Sequence, residues 1–164
     1  MKGRLTLNPL AHLDPLGTIA MLLTRFGWGK PAPFDPQNLK EPVRDAALIA
    51  AAGPLTNLLI ALAAAILLKV ATLPVLLGLL LFYLVSLNIT LAVFNLLPVG
   101  PLDGAKILVA LLPAETAIEF EAFMDRFGSL VLIGLIFPWS GGVSPLSSLI
   151  TPMITWLLKL FVAD

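Results

Sequence analysis

Asp103 is the residue of this sequence whose position most needs a chemical explanation. It sits near the end of NLLPVGPLDG (residues 95–104) and follows a run, 70–102, that contains no Asp, Glu, Lys or Arg. Position alone leaves two readings open. Asp-Gly ahead of AKILVALL suits a helix N-cap, whose carboxylate accepts from the free amides of the first turn and is favoured by the positive end of the helix dipole. Alternatively, Pro98, Gly100 and Pro101 make irregular backbone near membrane depth, tolerated only where protein buries it or water reaches it; a carboxylate there marks a site. Other side chains with chemical potential are few. His12, the only histidine, lies in NPLAHLDP and reads as a hydrogen-bonded residue at the membrane interface rather than a ligand. In PAETAIEFEAFMD the pairs Glu115/Glu119 and Glu121/Asp125 stand four residues apart. Like charges at that spacing repel unless solvated, so the reading is an amphipathic helix lying on the membrane, not a carboxylate metal site.

The composition says what kind of protein must position these groups. Of 164 residues, 59% are hydrophobic and 12% charged, against about 45–50% and about 25% in a soluble domain. The chain is therefore expected to be an integral membrane protein. Ten Lys and Arg balance ten Asp and Glu, which leaves no basic surplus for phosphate and excludes nucleic acid as the expected partner. Without cysteine there is no disulfide framework and no thiolate metal site. The N-terminus, MKGRLTLNPLAHLDP, lacks an unbroken apolar core and does not read as a signal peptide.

Charge-free intervals then set the elements, because a charge at mid-bilayer costs about 2.5–3.5 kcal/mol on insertion scales. Residues 46–68 suffice for one span, since a core of about 30 Å needs about 20 helical residues. The interval 70–102 is longer than one span, and Pro74 and Pro98 confine its helix to 73–95. The interval 127–158 is divided by PWSGGVSP (138–145), which makes either a hairpin of short helices or one span plus an interfacial helix. Upstream, Leu5 and Leu7 alternate with Arg4, Thr6 and Asn8, the period of a short strand. Residues 16–23 are apolar but too short to cross a bilayer, and KPAPFDPQNLKEP (30–42) is a Pro-rich loop. The expected fold is an all-α integral membrane protein, a polytopic helical bundle with a short N-terminal β-strand and a Pro-rich loop. It is read as a single membrane-embedded domain over 1–164: strand, short helix and loop in 1–45, spans at 46–68 and 73–95, interfacial helices in 104–126 and C-terminal hydrophobic helices in 127–163. Arg25, Lys30, Lys40 and Arg44 before the first span, with Lys106 and Arg126 after Asp103, put those segments and Asp103 at the cytoplasmic side by the positive-inside rule. Asn88 and Thr90, in mid-span, are expected to hydrogen-bond between helices. In GPLTN (53–57) two readings stay open: small residues for close helix approach, or Asn57 lining a cavity.

Three ordered blocks, GRLTLNPLAHLDPLGT (3–18), GPLTN and NLLPVGPLDG, together with the KPAPFDPQN loop, resemble the site-2 protease family of intramembrane zinc metalloproteases. The resemblance runs from Gly3 to about Leu112; beyond that only hydropathy matches. It implies that Asp103 is the third protein ligand of a catalytic Zn2+ and that Asn95 lies near the metal, where it holds substrate or the developing oxyanion. The other two ligands and the general base belong to an HExxH helix upstream of GRLTLNP, whose i, i+4 histidines share one helix face. No HExxH occurs in this chain. The sequence is therefore read as the C-terminal portion of such a protein, and as written it is expected to bind no stoichiometric zinc and to cleave nothing. Zinc in such a centre lowers the pKa of its water to about 7 and polarises the scissile carbonyl. The substrate helix must unwind to expose that carbonyl, and the strand edge at Thr6, Leu7 and Asn8 offers unpaired backbone groups to hold it.

The resemblance implies single-span membrane proteins as substrates, the lipid bilayer as surroundings, and a bacterial or archaeal plasma membrane as location. Oligomeric state is not legible. The competing reading is a non-catalytic membrane scaffold or pseudoprotease that binds transmembrane segments. A transporter subunit using the broken 98–101 segment ranks last, having neither paired ionisable groups nor an inverted repeat.

Overall fold

The computed structural model describes Thr18, residues 41–139 and residues 142–162. The expected strand with Thr6, Leu7 and Asn8, the expected helix at 16–23 apart from Thr18, His12, and the Pro-rich loop up to Lys40 lie outside the described residues. The chain divides into two compact units, Met1–Asn38 and Leu39–Asp164. Of the first unit only Thr18 is described.

In the second unit, prolines set where the helices begin. Helix α1, Pro42–Val70, starts on a proline whose missing N–H would have been unpaired in the first turn anyway. Its entry is fixed by two reciprocal bonds: the Asp45 N–H donates to the Glu41 carbonyl at 2.8 Å and the Glu41 N–H donates to Asp45 Oδ2 at 3.2 Å. Helix α2, Val75–Asn95, follows Pro74. Helix α3, Asp103–Leu111, is short, and α4, Ala114–Ile136, follows Pro113. Helix α5, Pro145–Val162, completes an all-helical arrangement without a strand among the described residues. Several boundaries differ from the sequence reading, the end of α1 and the start of α2 each falling two residues later than expected. Helix α1 begins four residues before residue 46, because Pro42 and not the last charge sets its start. Helix α4 runs unbroken through Arg126 and Phe127, where interfacial and hydrophobic helices were expected to part: the change from charged to apolar residues ends an interval of water exposure, not a run of helical backbone.

Helices α1, α2 and α5 are long and apolar enough to cross a membrane. Helix α4 is not among them, its first half carrying Glu115, Glu119, Glu121, Asp125 and Arg126. Ala61, Ala64 and Ala65 of α1 meet Val85, Ile89 and Val93 of α2, and Ile150, Ile154 and Leu157 of α5 pack against this cluster. Lipid tails are as apolar as leucine, so what holds such helices together is close van der Waals contact, which the alanines permit. The outward faces stay apolar: Val75 is 81% and Leu76 70% exposed, as befits surfaces facing lipid.

Polar side chains in α1 and α2 are satisfied locally. The Asn88 Nδ2 donates to the Leu84 carbonyl and the Thr90 hydroxyl to the Ser86 carbonyl, both at 2.8 Å, and the Thr56 hydroxyl donates to the Ala52 carbonyl at 2.7 Å. The interhelical bonds expected of Asn88 and Thr90 are thus replaced by bonds one turn back in their own helix, with Asn88 itself buried.

Candidate active site

The stretch between α2 and α3 is built from short-range bonds that fold it into consecutive turns. The Leu97 N–H donates to the Phe94 carbonyl at 3.1 Å, Val99 to Leu97 at 2.8 Å and Leu102 to Val99 at 2.9 Å. The Gly100–Pro101 peptide is cis. Leu97, Val99 and Leu102 are buried while Pro98 and Pro101 are exposed, so apolar side chains pin the segment to the protein as its backbone turns. Asn95 ends α2 and Asp103 begins α3, both half-buried. Gly104 is required next to Asp103: a Cβ there would collide with the carbonyl oxygens of Leu96 and Leu97.

Asp103 is not a helix cap. The N-cap of α3 is Leu102, and Asp103 is the first helical residue, where its charge still meets the positive end of the helix dipole. Its carboxylate is turned to α1. A Cβ built on Gly53 would stand 3.3 Å from Asp103 Oδ2, so the first glycine of GPLTN is the place where α1 and the carboxylate come together. Burial raises the Asp103 pKa above its ordinary value of 3.8, and the charge of Lys106, one turn further along α3, pulls the other way. Asn57 lies one turn beyond Gly53 in α1 and is half-buried. Beside this contact, α1 and α3 enclose an apolar groove of about 610 Å³, walled by Val43, Ala47 and Ala51 on one side and Ile107 and Leu111 on the other.

As a metal centre the described residues are incomplete. A catalytic zinc is held by three protein ligands. Among the described residues, no three His, Cys, Asp or Glu side chains come together as a candidate site. Asp103 is of the right chemistry for one ligand, with an oxygen set toward a glycine; by itself it does not fit the ion.

Of the two readings of GPLTN, close approach at a small residue is met at Gly53, which faces the Asp103 carboxylate; two further residues that shape this site do not stand out in the sequence. Met124 and Gly128 of α4 lie against Gly100: the Gly100 N–H donates to Met124 Sδ at 3.4 Å, and a Cβ on Gly128 would stand 2.6 Å from the Gly100 carbonyl oxygen. The available signal was a glycine four residues after a methionine, on the same face of the helix.

The described residues thus combine three helices long and apolar enough to cross a membrane with a turn-rich segment that sets a half-buried carboxylate toward the first of them. Residues 70–136, which span α2, the Asp103 segment, α3 and α4, match the model of peptidase family M50. The chain is also 35% identical to the Bacillus subtilis (strain 168) protein named "Putative zinc metalloprotease YwhC" over 176 aligned positions, covering 99% of this chain and 77% of that protein. The chain belongs to peptidase family M50, the site-2 protease family. No solved structure matches it.

Proposed function

We propose that this chain supplies the Asp103 wall of a zinc-dependent intramembrane endopeptidase that hydrolyses peptide bonds in membrane-spanning substrates. The observation that carries the reading is the Asp103 carboxylate, which lies inside the segment 70–136 that matches the family and is set toward Gly53 of α1. Asp103 is the zinc ligand this chain offers, and the two histidines and the glutamate come from polypeptide outside these 164 residues. Asn95, at the far end of the same segment, orients the substrate carbonyl or its oxyanion, and Asn57 offers a second amide from α1. Thr6, Leu7 and Asn8 hold an unwound substrate as an added strand. The cation distribution supports a location of Asp103 near the cytoplasmic face of a bacterial plasma membrane.

A second reading, a scaffold that binds transmembrane segments without cutting them, is favoured by one observation: the 164 residues contain no HExxH. One experiment separates the two. The gene is tagged at its 3′ end in its own genome, so that whatever is translated in frame is retained, and the purified protein is reconstituted with a single-span substrate. The peptidase reading expects cleavage inside the membrane segment that is lost on chelation, returns with zinc and is absent in Asp103→Asn. Substrate that is bound and never cut supports the scaffold, and cleavage indifferent to both chelator and Asp103→Asn overturns the role of Asp103.

A further inference from the structure

We infer that Met124 and Gly128 of α4 are positioning residues for the Asp103 carboxylate, acting by clamping the backbone of Gly100 three residues before it. The inference rests on the proposed role of Asp103 for its catalytic consequence, and on the contact alone for its structural one.

Backbone amides in an apolar setting need partners. In the segment between α2 and α3 the amides of Leu96, Leu97, Val99 and Leu102 find carbonyls nearby in the chain. Gly100 bonds instead across space, to the thioether of Met124 at 3.4 Å, a weak acceptor. So poor a hydrogen bond does not hold a loop unaided; close packing does the rest. A Cβ on Gly128 would stand 2.6 Å from the Gly100 oxygen and 2.9 Å from both its carbonyl carbon and its Cα. These neighbours are backbone atoms, which cannot rotate aside. From the other side, a Cβ on Gly100 would meet the Met124 carbonyl oxygen at 3.2 Å and the Met124 Cβ at 3.3 Å. Gly128 is needed for helix and loop to touch backbone to backbone, and a side chain at Gly100 would fit only tightly. Met124 and Gly128 are one turn apart on α4 and so present one face to the loop.

The loop is short between this clamp and the site. Pro101 and Leu102 separate Gly100 from Asp103, Leu102 is buried and hydrogen-bonded back to Val99, and Gly104 is wedged under the Leu96 and Leu97 carbonyls. With so little slack, a shift of Gly100 passes to the start of α3 and hence to the distance between Asp103 and Gly53. Gly134, two turns further along α4, has nothing within 4 Å of where its Cβ would be. It provides a control in the same helix with the same change of residue.

The chain has no cysteine, so an introduced pair reports cleanly. Gly53→Cys with Asp103→Cys places two thiols across the contact, to be joined by oxidation and, independently of disulfide geometry, by a short bis-methanethiosulfonate linker. In this background Gly128→Val should lower cross-linking about tenfold, because a disulfide tolerates little displacement, while Gly134→Val leaves it unchanged. If Gly128→Val does not accumulate as a folded protein, Gly128→Ala reads the same contact and should lower cross-linking about threefold on the same geometric ground. Met124→Leu, which keeps the volume and removes the acceptor, should lower it by less than either. Full cross-linking in a folded Gly128→Val or Gly128→Ala protein, or an equal loss in Gly134→Val, overturns the inference. A separate arm uses the genomically tagged protein with Asp103 intact: Gly128→Ala should lower kcat by up to about a hundredfold, as misplacement by about 1 Å does, with KM held. Loss of cross-linking alongside a wild-type protein that cleaves nothing supports the clamp and refutes the peptidase reading, so the two fail separately.

Discussion

The Asp103 carboxylate of α3 lies against the bare backbone of Gly53 in α1, with Oδ2 3.3 Å from the point a Gly53 Cβ would occupy. A glycine is what allows a membrane-length helix to approach a carboxylate this closely. Gly53→Val would place methyl groups against that oxygen and shut solvent away from it. Added desolvation disfavours the charged form, so the Asp103 pKa should move further upward. Infrared difference spectra against Asp103→Asn, followed with pH, read the carboxyl directly; an unmoved or lowered titration would show that the contact is not made.

The raised pKa also couples Asp103 to stability. A carboxyl that holds its proton more tightly folded than unfolded means that the folded state binds more protons between the two pKa values, and stability falls as pH rises through that window. The contribution is fully present below the ordinary value of 3.8 and is lost as pH climbs through the raised folded value. Metal-free protein in detergent should therefore show a component of stability that declines with rising pH above 3.8, and Asp103→Asn should lack it. Denaturation midpoints taken at intervals from pH 4 upward make the comparison. Zinc binding has the opposite dependence, since the ligand must be ionised.

Gly104→Ala tests the turn from the other side. Its Cβ has only the Leu96 and Leu97 carbonyl groups to meet, and these belong to backbone that is bonded within the turn. Overpacking of this kind costs about 3 kcal/mol. The expected result is a folded bundle of α1, α2 and α5 with α3 displaced, seen as lost protection of the α3 amides in hydrogen exchange while those of α1 and α2 persist.

Ile89, fully buried between α1 and α2, tests how the spans are held. Its truncation in lipid removes packing without the full gain of exposing apolar surface to water. Ile89→Ala should therefore cost about 2 kcal/mol, the lower end of the range for such substitutions in water-soluble cores. Unfolding in mixed micelles measures it.

Helices α1 and α2 were legible because charge is excluded from lipid: Asp45 and Lys69 bracket one charge-free interval and Lys69 and Asp103 the next, with Pro74 ahead of α2, whereas the start of α1 at Pro42 was not. The break at 98–101 was legible from its prolines, and Asp103 from its isolation after an uncharged run. What was not legible is long-range. The sequence of α4 changes character at Arg126, which local patterning reads as a boundary, but helical backbone has no reason to stop there. Nor can spacing say that Gly53, fifty residues before Asp103, would touch it, or that Gly128 would sit on Gly100. Asn88 and Thr90 illustrate the reverse error. Their polarity was read as a link between helices when an i−4 carbonyl in the same helix was nearer.

Zinc content tests the central claim, that Asp103 is a ligand of a zinc peptidase centre. The protein tagged at its genomic 3′ end and purified in mild detergent should carry about one zinc per molecule, as three protein ligands with a fourth position left for water imply. Asp103→Ala should lose it, while the 164-residue chain expressed alone should hold none in stoichiometric amount. Equal zinc in the wild type and Asp103→Ala would contradict the account.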